Sequence, residues 1–289
     1  KRLSAATGFD DVAQCEAIFN EQGVNDFDRY LALSTRDYNG MANNLAGRQT
    51  LQGKTLTAYD RALIGQVASF NTYKLDYANR IGVAAGSGIT IDTRDSANNY
   101  WVPKAISTSP TTAERLNVDN RYQTVTVSSS TGVAAGDCFT IAGVNAVHHI
   151  TKGSTGQLKT FRVISVTDAT HLVITPGIIS AQGGTDAELQ YKNVTVTPAA
   201  AANINWLNVN AASVNVFWQR DALEILPGRY AVPTDAGTAV MRATTDQGIE
   251  VVMQKFYDID SMTIKYRLDT LYGVVNKQTE MSGILLFNQ

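Results

Sequence analysis

The chain has 289 residues, 44% of them hydrophobic, and a formal net charge of −2, enough apolar material for a sizeable core and a length that suits two domains. Lysines, arginines and carboxylates are scattered, so there is neither the basic footprint of a nucleic-acid binder nor the basic face of a membrane-surface protein. No apolar run reaches the ~20 residues of a bilayer-spanning helix, residues 1–11 lack the apolar core of a signal peptide, and Cys15 and Cys138 read as packed core thiols of a reducing compartment.

Residues 9–22 predict a helix. Asp10 and Asp11 place carboxylates against the positive end of its dipole, Val12, Cys15 and Phe19 share one face, and Gly23 stands where it should stop. Residues 29–34 (RYLALS) read as a short buried strand and residues 37–45 as a brief helix. Thr57 and Asp60 open a second clear helix in the manner of a capping box, with Tyr59, Leu63, Val67 and Phe70 as its stripe. From 82 to 120 the pattern dissolves into Gly, Ser, Thr, Asn and Pro, and this stretch is expected to be loop.

Period-two segments follow at 122–128, 137–142, 158–166, 171–175 and 192–197, separated by Gly/Ser/Asp turns, as strands of a small barrel or sandwich read. Residues 167–170 (TDAT) make a hairpin connection, and 145–157 reads as a mobile loop. Val125, Val127, Phe139, Ile141, Phe161, Val163, Leu172, Ile174, Val194 and Val196 give this module an apolar set of its own, so it is expected to fold alone. Beyond Pro198, Val214, Val216 and Trp218 alternate with Asn215 and Phe217, and 221–226 adds a short apolar segment. In 262–269, Met262, Ile264, Tyr266 and Leu268 form a face expected to be buried, opposite Thr263, Lys265, Arg267 and Asp269. Residues 284–287 read as a final buried strand.

The residues offer little chemistry. The His148-His149 pair is the only histidine cluster, and neighbours on a strand face opposite ways, so the pair reads as loop or surface rather than a metal site. His171 reads as a satisfied histidine of the barrel. No H-E-x-x-H, C-x-x-C, G-x-S-x-G or Walker-type loop occurs, and Gly86-Ser87-Gly88 lacks the third glycine of a phosphate cradle. The glycosylation sequon at Asn193 falls in a predicted strand of a chain with no secretion signal. Trp101, Trp206 and Trp218 are dispersed, and Asp92, Asp95 and Asp119 lack the partner carboxylates that acid–base work needs. No catalytic residue, cofactor or metal is therefore expected, and the enzyme reading is set aside.

Four stretches carry a resemblance: 117–126 (NVDNRYQTVT), 131–143 (TGVAAGDCFTIAG), 161–175 (FRVISVTDATHLVIT) and 215–226 (NVFWQRDALEIL), with 66–70 (QVASF) and 88–90 (GIT) as anchors. Ordered and collinear, they resemble the major coat protein of the P-22 type short-tailed bacteriophages. The resemblance implies an α+β, HK-97-like capsid fold with apical and partial peripheral domains and an inserted antiparallel β-barrel. Residues 1–81 would be the first part of the capsid core, 82–205 the inserted domain and 206–289 the second part of the core. Family members carry an arm, an extended loop and a long spine helix upstream of the matched region, so the chain is expected to be N-terminally truncated.

In the family a loop of the inserted domain reaches the neighbouring capsomer. The matching stretch is 107–116, where Ser107, Thr111, Glu114 and Arg115 are candidates, although SPTTA replaces the family's closely spaced aspartates. A second loop, 145–158, carries His148, His149 and Lys152. The function implied is that of a major capsid protein of a tailed phage or prophage, self-assembling into an icosahedral shell in the bacterial host cytoplasm and ending in the virion. Its partners would be copies of itself plus scaffolding and portal proteins, with no sequence-specific nucleic acid and no membrane. A β-rich tail or adhesin-type module that binds receptors or glycans is the alternative. The near-zero net charge suits close packing of many copies.

Overall fold

The computed structural model describes residues 8–47, 56, 58, 61–92, 106–108, 115–117, 119–181, 186–231 and 239–288. The chain divides into two compact units, one of Lys1–Arg220 with Gln278–Gln289 and the other Asp221–Lys277.

In the first unit, helix α1 (Phe9–Glu21) forms where the sequence places it, with Val12, Cys15 and Phe19 buried on one side. Asp11 accepts the Gly8 N–H at 3.2 Å, a local bond that satisfies a free donor at the helix start. Gly23 ends the helix at φ 73°, a left-handed conformation that favours glycine. Strand β1 (Arg29–Ser34) runs directly into α2 (Thr35–Ala46), whose N-cap is Ser34, its hydroxyl accepting from the Asp37 N–H at 3.3 Å.

The residues after α2 depart from expectation. Leu56, Ala58 and Arg61 are helical, but the helix does not continue to Phe70. Gln66–Val67 is strand β2 and Phe70–Leu75 is strand β3, with Ala68 and Ser69 turning between them at φ 43° and 63°. The cause is non-local. β3 pairs parallel with β1 over six residues, from Arg29 opposite Phe70 to Ser34 opposite Leu75, and that ladder overrides an apolar spacing that also fits a helix.

β1 is the centre of a five-stranded mixed sheet, completed on its other side by β13 (Asn215–Gln219) and β19 (Ser282–Leu285). Leu31, Leu33, Phe70, Phe217 and Leu285 pack against Phe19 of α1 and Tyr38 of α2. Arg29 lies on this same inner side and is fully buried. Its guanidinium donates to the carbonyls of Val24 and Asn25, to Asn20 Oδ1 at 2.8 Å and to Ser69 Oγ at 3.1 Å, and stands 5.5 Å from the Phe19 ring centre. Burial pushes its pKa down from the ordinary arginine value. Asn215, also fully buried, ties three strands together by accepting the Ser34 N–H at 2.7 Å and donating to the Leu285 carbonyl at 3.2 Å.

A second five-stranded sheet is antiparallel, in the order β11–β8–β9–β10–β7, with β7 at Gln123–Thr126, β8 at Cys138–Val147, β9 at Ser154–Val166, β10 at His171–Thr175 and β11 at Ile204–Trp206. Four of the five predicted strands appear. The expected loop 145–157 shrinks to residues 148–153, because β8 and β9 continue as one long hairpin through two register shifts after Thr140. Residues 192–197 are not a strand: Val194 makes a single bridge to Ala146, and Val196 is exposed.

The edges β11 and β7 do not pair with each other. Both bond instead to residues 89–92, within a stretch expected to be loop: Thr90 bridges Asn203 and Ile91 bridges Val127. Ile89 and Ile91 thereby enter the core formed by Val125, Phe139, Ile141, Phe161 and Leu172. An Ile-Thr-Ile triplet is too short to announce a strand.

The sheets meet at a neck. β4 (Arg80–Ile81) pairs with β12 (Ala212–Ser213), and Ile81 and Ala212 pack against Cys138 and Leu286. Buried Asn208 donates to the Gly82 carbonyl at 3.0 Å and to Asp137 Oδ1 at 2.9 Å, while its Oδ1 accepts the Cys138 N–H at 3.1 Å. Burial pushes the Cys138 thiol up, and Cys15 lies in a different cluster, so no disulfide joins the two. The unit also holds a paired β5 (Ile106–Thr108) and β6 (Arg115–Asn117) and a short helix α3 (Asp186–Tyr191).

Apart from the end of a 3-10 turn (Arg220–Ala222), the regular structure of the second unit is strand among its described residues. β14 (Leu223–Pro227) pairs with β18 (Tyr272–Asn276), and β15 (Ala239–Thr244), β16 (Glu250–Asp258) and β17 (Thr263–Thr270) form a three-stranded meander. Met262 is a turn residue at φ 52° rather than part of β17. The face expected to be buried is exposed: Ile264 is 51%, Tyr266 60% and Leu268 69% accessible.

Candidate functional site

The residues singled out from sequence fall in separate places. Ser107 lies on β5 and Arg115 on β6, and the ladder sets Ser107 opposite Leu116 and Thr108 opposite Arg115. Thr111 and Glu114 lie outside the described residues, as do Trp101 and Asp95.

His148, His149 and Lys152 occupy the short turn joining β8 to β9. Because they stand beyond the end of the strand, the two imidazoles are side by side rather than on opposite faces, with ring centres 4.7 Å apart. The turn is docked on α1: the His149 backbone N–H donates to the Glu21 carbonyl at 3.3 Å, and His149 Nδ1 lies 3.2 Å from the same oxygen. A Cβ on Gly23 would sit 2.4 Å from the His149 ring, so the glycine that ends α1 also makes room for the imidazole. Lys152 Nζ donates to the Lys192 carbonyl at 3.3 Å. Further along the hairpin, buried Lys159 stands 3.6 Å from Glu280.

His171 is the first residue of β10, opposite Thr126, and is half exposed beside the β9–β10 turn. Its Nδ1 is 2.8 Å from Asp168, whose carboxylate also accepts the Thr170 N–H at 2.8 Å. The Thr170 N–H first, then the His171 side chain, holds the Asp168 pKa down at about 2. Asn193 is committed internally, accepting the Ile179 N–H at 2.9 Å and donating to the Gly177 carbonyl at 2.7 Å. Among the described residues no group of three or more His, Cys, Asp or Glu side chains is placed to hold a metal ion, and no helix is long and apolar enough to cross a membrane.

Two surfaces escaped the sequence reading. On the outer side of the mixed sheet, Tyr30 stands 5.7 Å from Trp218 and 6.1 Å from Tyr73, an aromatic row assembled from three strands. The other is the β15–β17 meander. Cross-strand partners share a face, and the register sets Met241 opposite Met253, Met253 opposite Leu268, Lys255 opposite Tyr266 and Tyr257 opposite Ile264. That face is apolar apart from Thr270, which the register sets opposite Val251, and Lys255, whose ammonium lies 5.8 Å from the Tyr266 ring centre. The opposite face carries ion pairs, Arg242 with Glu250 at 2.9 Å, Lys265 with Asp258 at 2.6 Å and Arg267 with Asp269 at 2.7 Å. The carboxylates are partly buried and two of the three cations are exposed, and surface pairs contribute about 0–1 kcal/mol each. Of the sheet's large hydrophobics, Met241 is 64% accessible, whereas Val252 is fully buried.

The β15–β17 face is largely apolar and exposed, and exposed apolar patches of this kind mark interaction surfaces. The chain belongs to the P22 coat protein family: the family model "P22 coat protein - gene protein 5" matches residues 2–288. It is accordingly a major capsid protein of a tailed bacteriophage, a structural component of the virion, and the tail or adhesin alternative falls away. Among solved structures, the "CUS-3 coat protein I-domain" is 36% identical over 43% of this chain and 98% of that chain, with a TM-score of 0.31.

Proposed function

We propose that the chain builds an icosahedral shell with the HK-97-like fold, that residues 82–205 are its inserted β-barrel domain, and that 1–81 and 206–289 are the two parts of the capsid core. The bonds from residues 89–92 to both β7 and β11 support the barrel reading, since they link the two edges of the second sheet. Assembly takes place in the bacterial host cytoplasm, with copies of the same chain, a scaffolding protein and a portal protein as partners. The protein is not an enzyme and reads no nucleic-acid sequence.

The observation that carries the proposal is the open apolar face of β15–β17. Water contact with this face is costly, at roughly 25 cal/mol per Å² of apolar surface, and covering it with coat-protein polypeptide in the shell removes that cost in every copy. The stretch 107–116, with Ser107, Thr111, Glu114 and Arg115, is the proposed inter-capsomer contact, where weak bonds repeated by symmetry add up. Of the second loop, His148, His149 and Lys152 bond within the subunit, which leaves the exposed Ile150 at the tip for neighbours.

The test is to coexpress the coat polypeptide carrying both Met241→Lys and Leu268→Lys with its scaffolding protein and to image the products by electron microscopy. Loss of closed shells with a retained circular dichroism spectrum is expected. Normal shells would remove β15–β17 from the assembly surface.

A further inference from the structure

The geometry points to a pH-sensitive latch in the β8–β9 turn, in which His148 keeps the turn closed only while its Nδ1 is unprotonated, and the closed turn holds the second sheet against the C-terminal end of α1. The adjacent rings do opposite jobs. His148 Nδ1 lies 3.3 Å from the amide nitrogen of Ile150 and 3.4 Å from that of Thr151. Both amides can only donate, so this nitrogen accepts, and the ring proton resides on Nε2. His149 Nδ1 faces the Glu21 carbonyl at 3.2 Å, which can only accept, so here the proton resides on Nδ1. The turn is closed further by the His148 N–H donating to the Gly153 carbonyl at 2.9 Å and by the Lys152 N–H donating to the His148 carbonyl at 3.0 Å.

A second proton has different consequences on the two rings. On His149 it leaves the bond to Glu21 intact, and a cation there suits the negative end of α1. On His148 it replaces an acceptor with a donor that confronts two amide donors. It also adds positive charge 4.7 Å from the neighbouring ring. The charged groups around the site do not offset this. The turn itself adds Lys152, the segment after α3 adds Lys192, and α1 contributes Glu21, which engages His149 through its carbonyl. Among the described residues the histidine in an ion pair is His171, not His148 or His149. Imidazole is the side chain that changes charge between about pH 5 and 8, so mild acid opens the turn and frees His149 from Gly23, while the Asn208–Asp137 neck stays bonded.

The test is nitrogen NMR of the histidine rings in the 289-residue chain, followed from pH 8 to pH 5 together with the ring-to-Gly23 nuclear Overhauser contact of His149. At pH 8 the Nε2–H tautomer is expected for His148 and the Nδ1–H tautomer for His149. On acidification the Ile150 and Thr151 amide signals shift and the His149–Gly23 contact is lost. In His148→Asn, the amide oxygen takes the place of Nδ1 as an acceptor that cannot be protonated, and the contact should persist to pH 5. A proton on His148 Nδ1 at pH 8, a contact that survives acid in the wild type, or equal loss in wild type and His148→Asn would each overturn the latch. The tautomer measurement stands on the wild type alone, so it decides even if the variant fails to fold.

Discussion

The β7–β11 sheet of the first unit and the β15–β17 sheet of the second share one alternating pattern, and they differ in what covers the apolar side. In the first, Phe139, Phe161 and Leu172 are buried within a single cluster that Ile89 and Ile91 join, residues 89–92 bonding beside both edges of the sheet. In the second, Tyr257, Ile264, Tyr266 and Leu268 line an equally apolar face that is open. Alternation specifies that a face is apolar; it does not specify whether the same unit supplies the cover. For a coat protein that distinction separates residues that hold the subunit together from residues available to build the shell.

Substitutions should therefore act differently in the two sheets. The largest effect is expected in the sealed one. Phe161 is buried, with its ring centre 5.7 Å from that of Phe139, and Phe161→Ala should cost about 3–5 kcal/mol in denaturant unfolding. An unchanged midpoint would mean that the core is not sealed as described. Next comes Arg29→Lys in the mixed sheet. A lysine cannot reach all the acceptors that the guanidinium satisfies, and losing even one buried charged hydrogen bond costs about 1.5–3 kcal/mol. Gly23→Ala should follow, since the left-handed φ costs about 1–2 kcal/mol for a residue with a Cβ and the His149 ring must also move. Tyr266→Ser on the open face should change stability by no more than about 0.5 kcal/mol; a loss as large as that of Phe161→Ala would show that the face is covered within the chain.

The smallest effect concerns pH. Asp168 should titrate at about 2, below the ordinary carboxylate value of 3.8, in a carbon NMR titration. Its folded value is depressed, so its stabilising contribution is complete above the unfolded value and is lost as pH falls through about 2. Asp168 is fully exposed, so the effect on global unfolding should be slight, and removing His171 should move the titration upward.

Local signals were readable from sequence. α1 and β1 announce themselves through Val12, Cys15 and Phe19 at helical spacing and a compact RYLALS run, and a brief helix was legible at 37–45, though its Ser34 cap was not. The strands around Val125, Phe139, Phe161 and Leu172 follow from period two. What stayed hidden depends on contacts distant in sequence. The Val67 and Phe70 spacing fits a helix until β1 claims Phe70–Leu75 as a parallel partner. Gly153, Ser154 and Gly156 look like loop until β8 pairs with β9 across the bulges. The histidine pair was visible, but its docking on α1 was not, because 128 positions separate Glu21 from His149. The coat-protein assignment rested on collinear matches, since no chemical motif marks such a surface.

The most direct measurement is hydroxyl-radical oxidation of the methionines in the free chain and in assembled shells, read by mass spectrometry. Met41, buried in the first core, is the protected reference, and Met241 with Met253 reports on the open face. Rapid oxidation of Met241 in the free chain and protection in the shell is the expected result. Equally rapid oxidation in both would contradict the claim that shell formation covers the β15–β17 face.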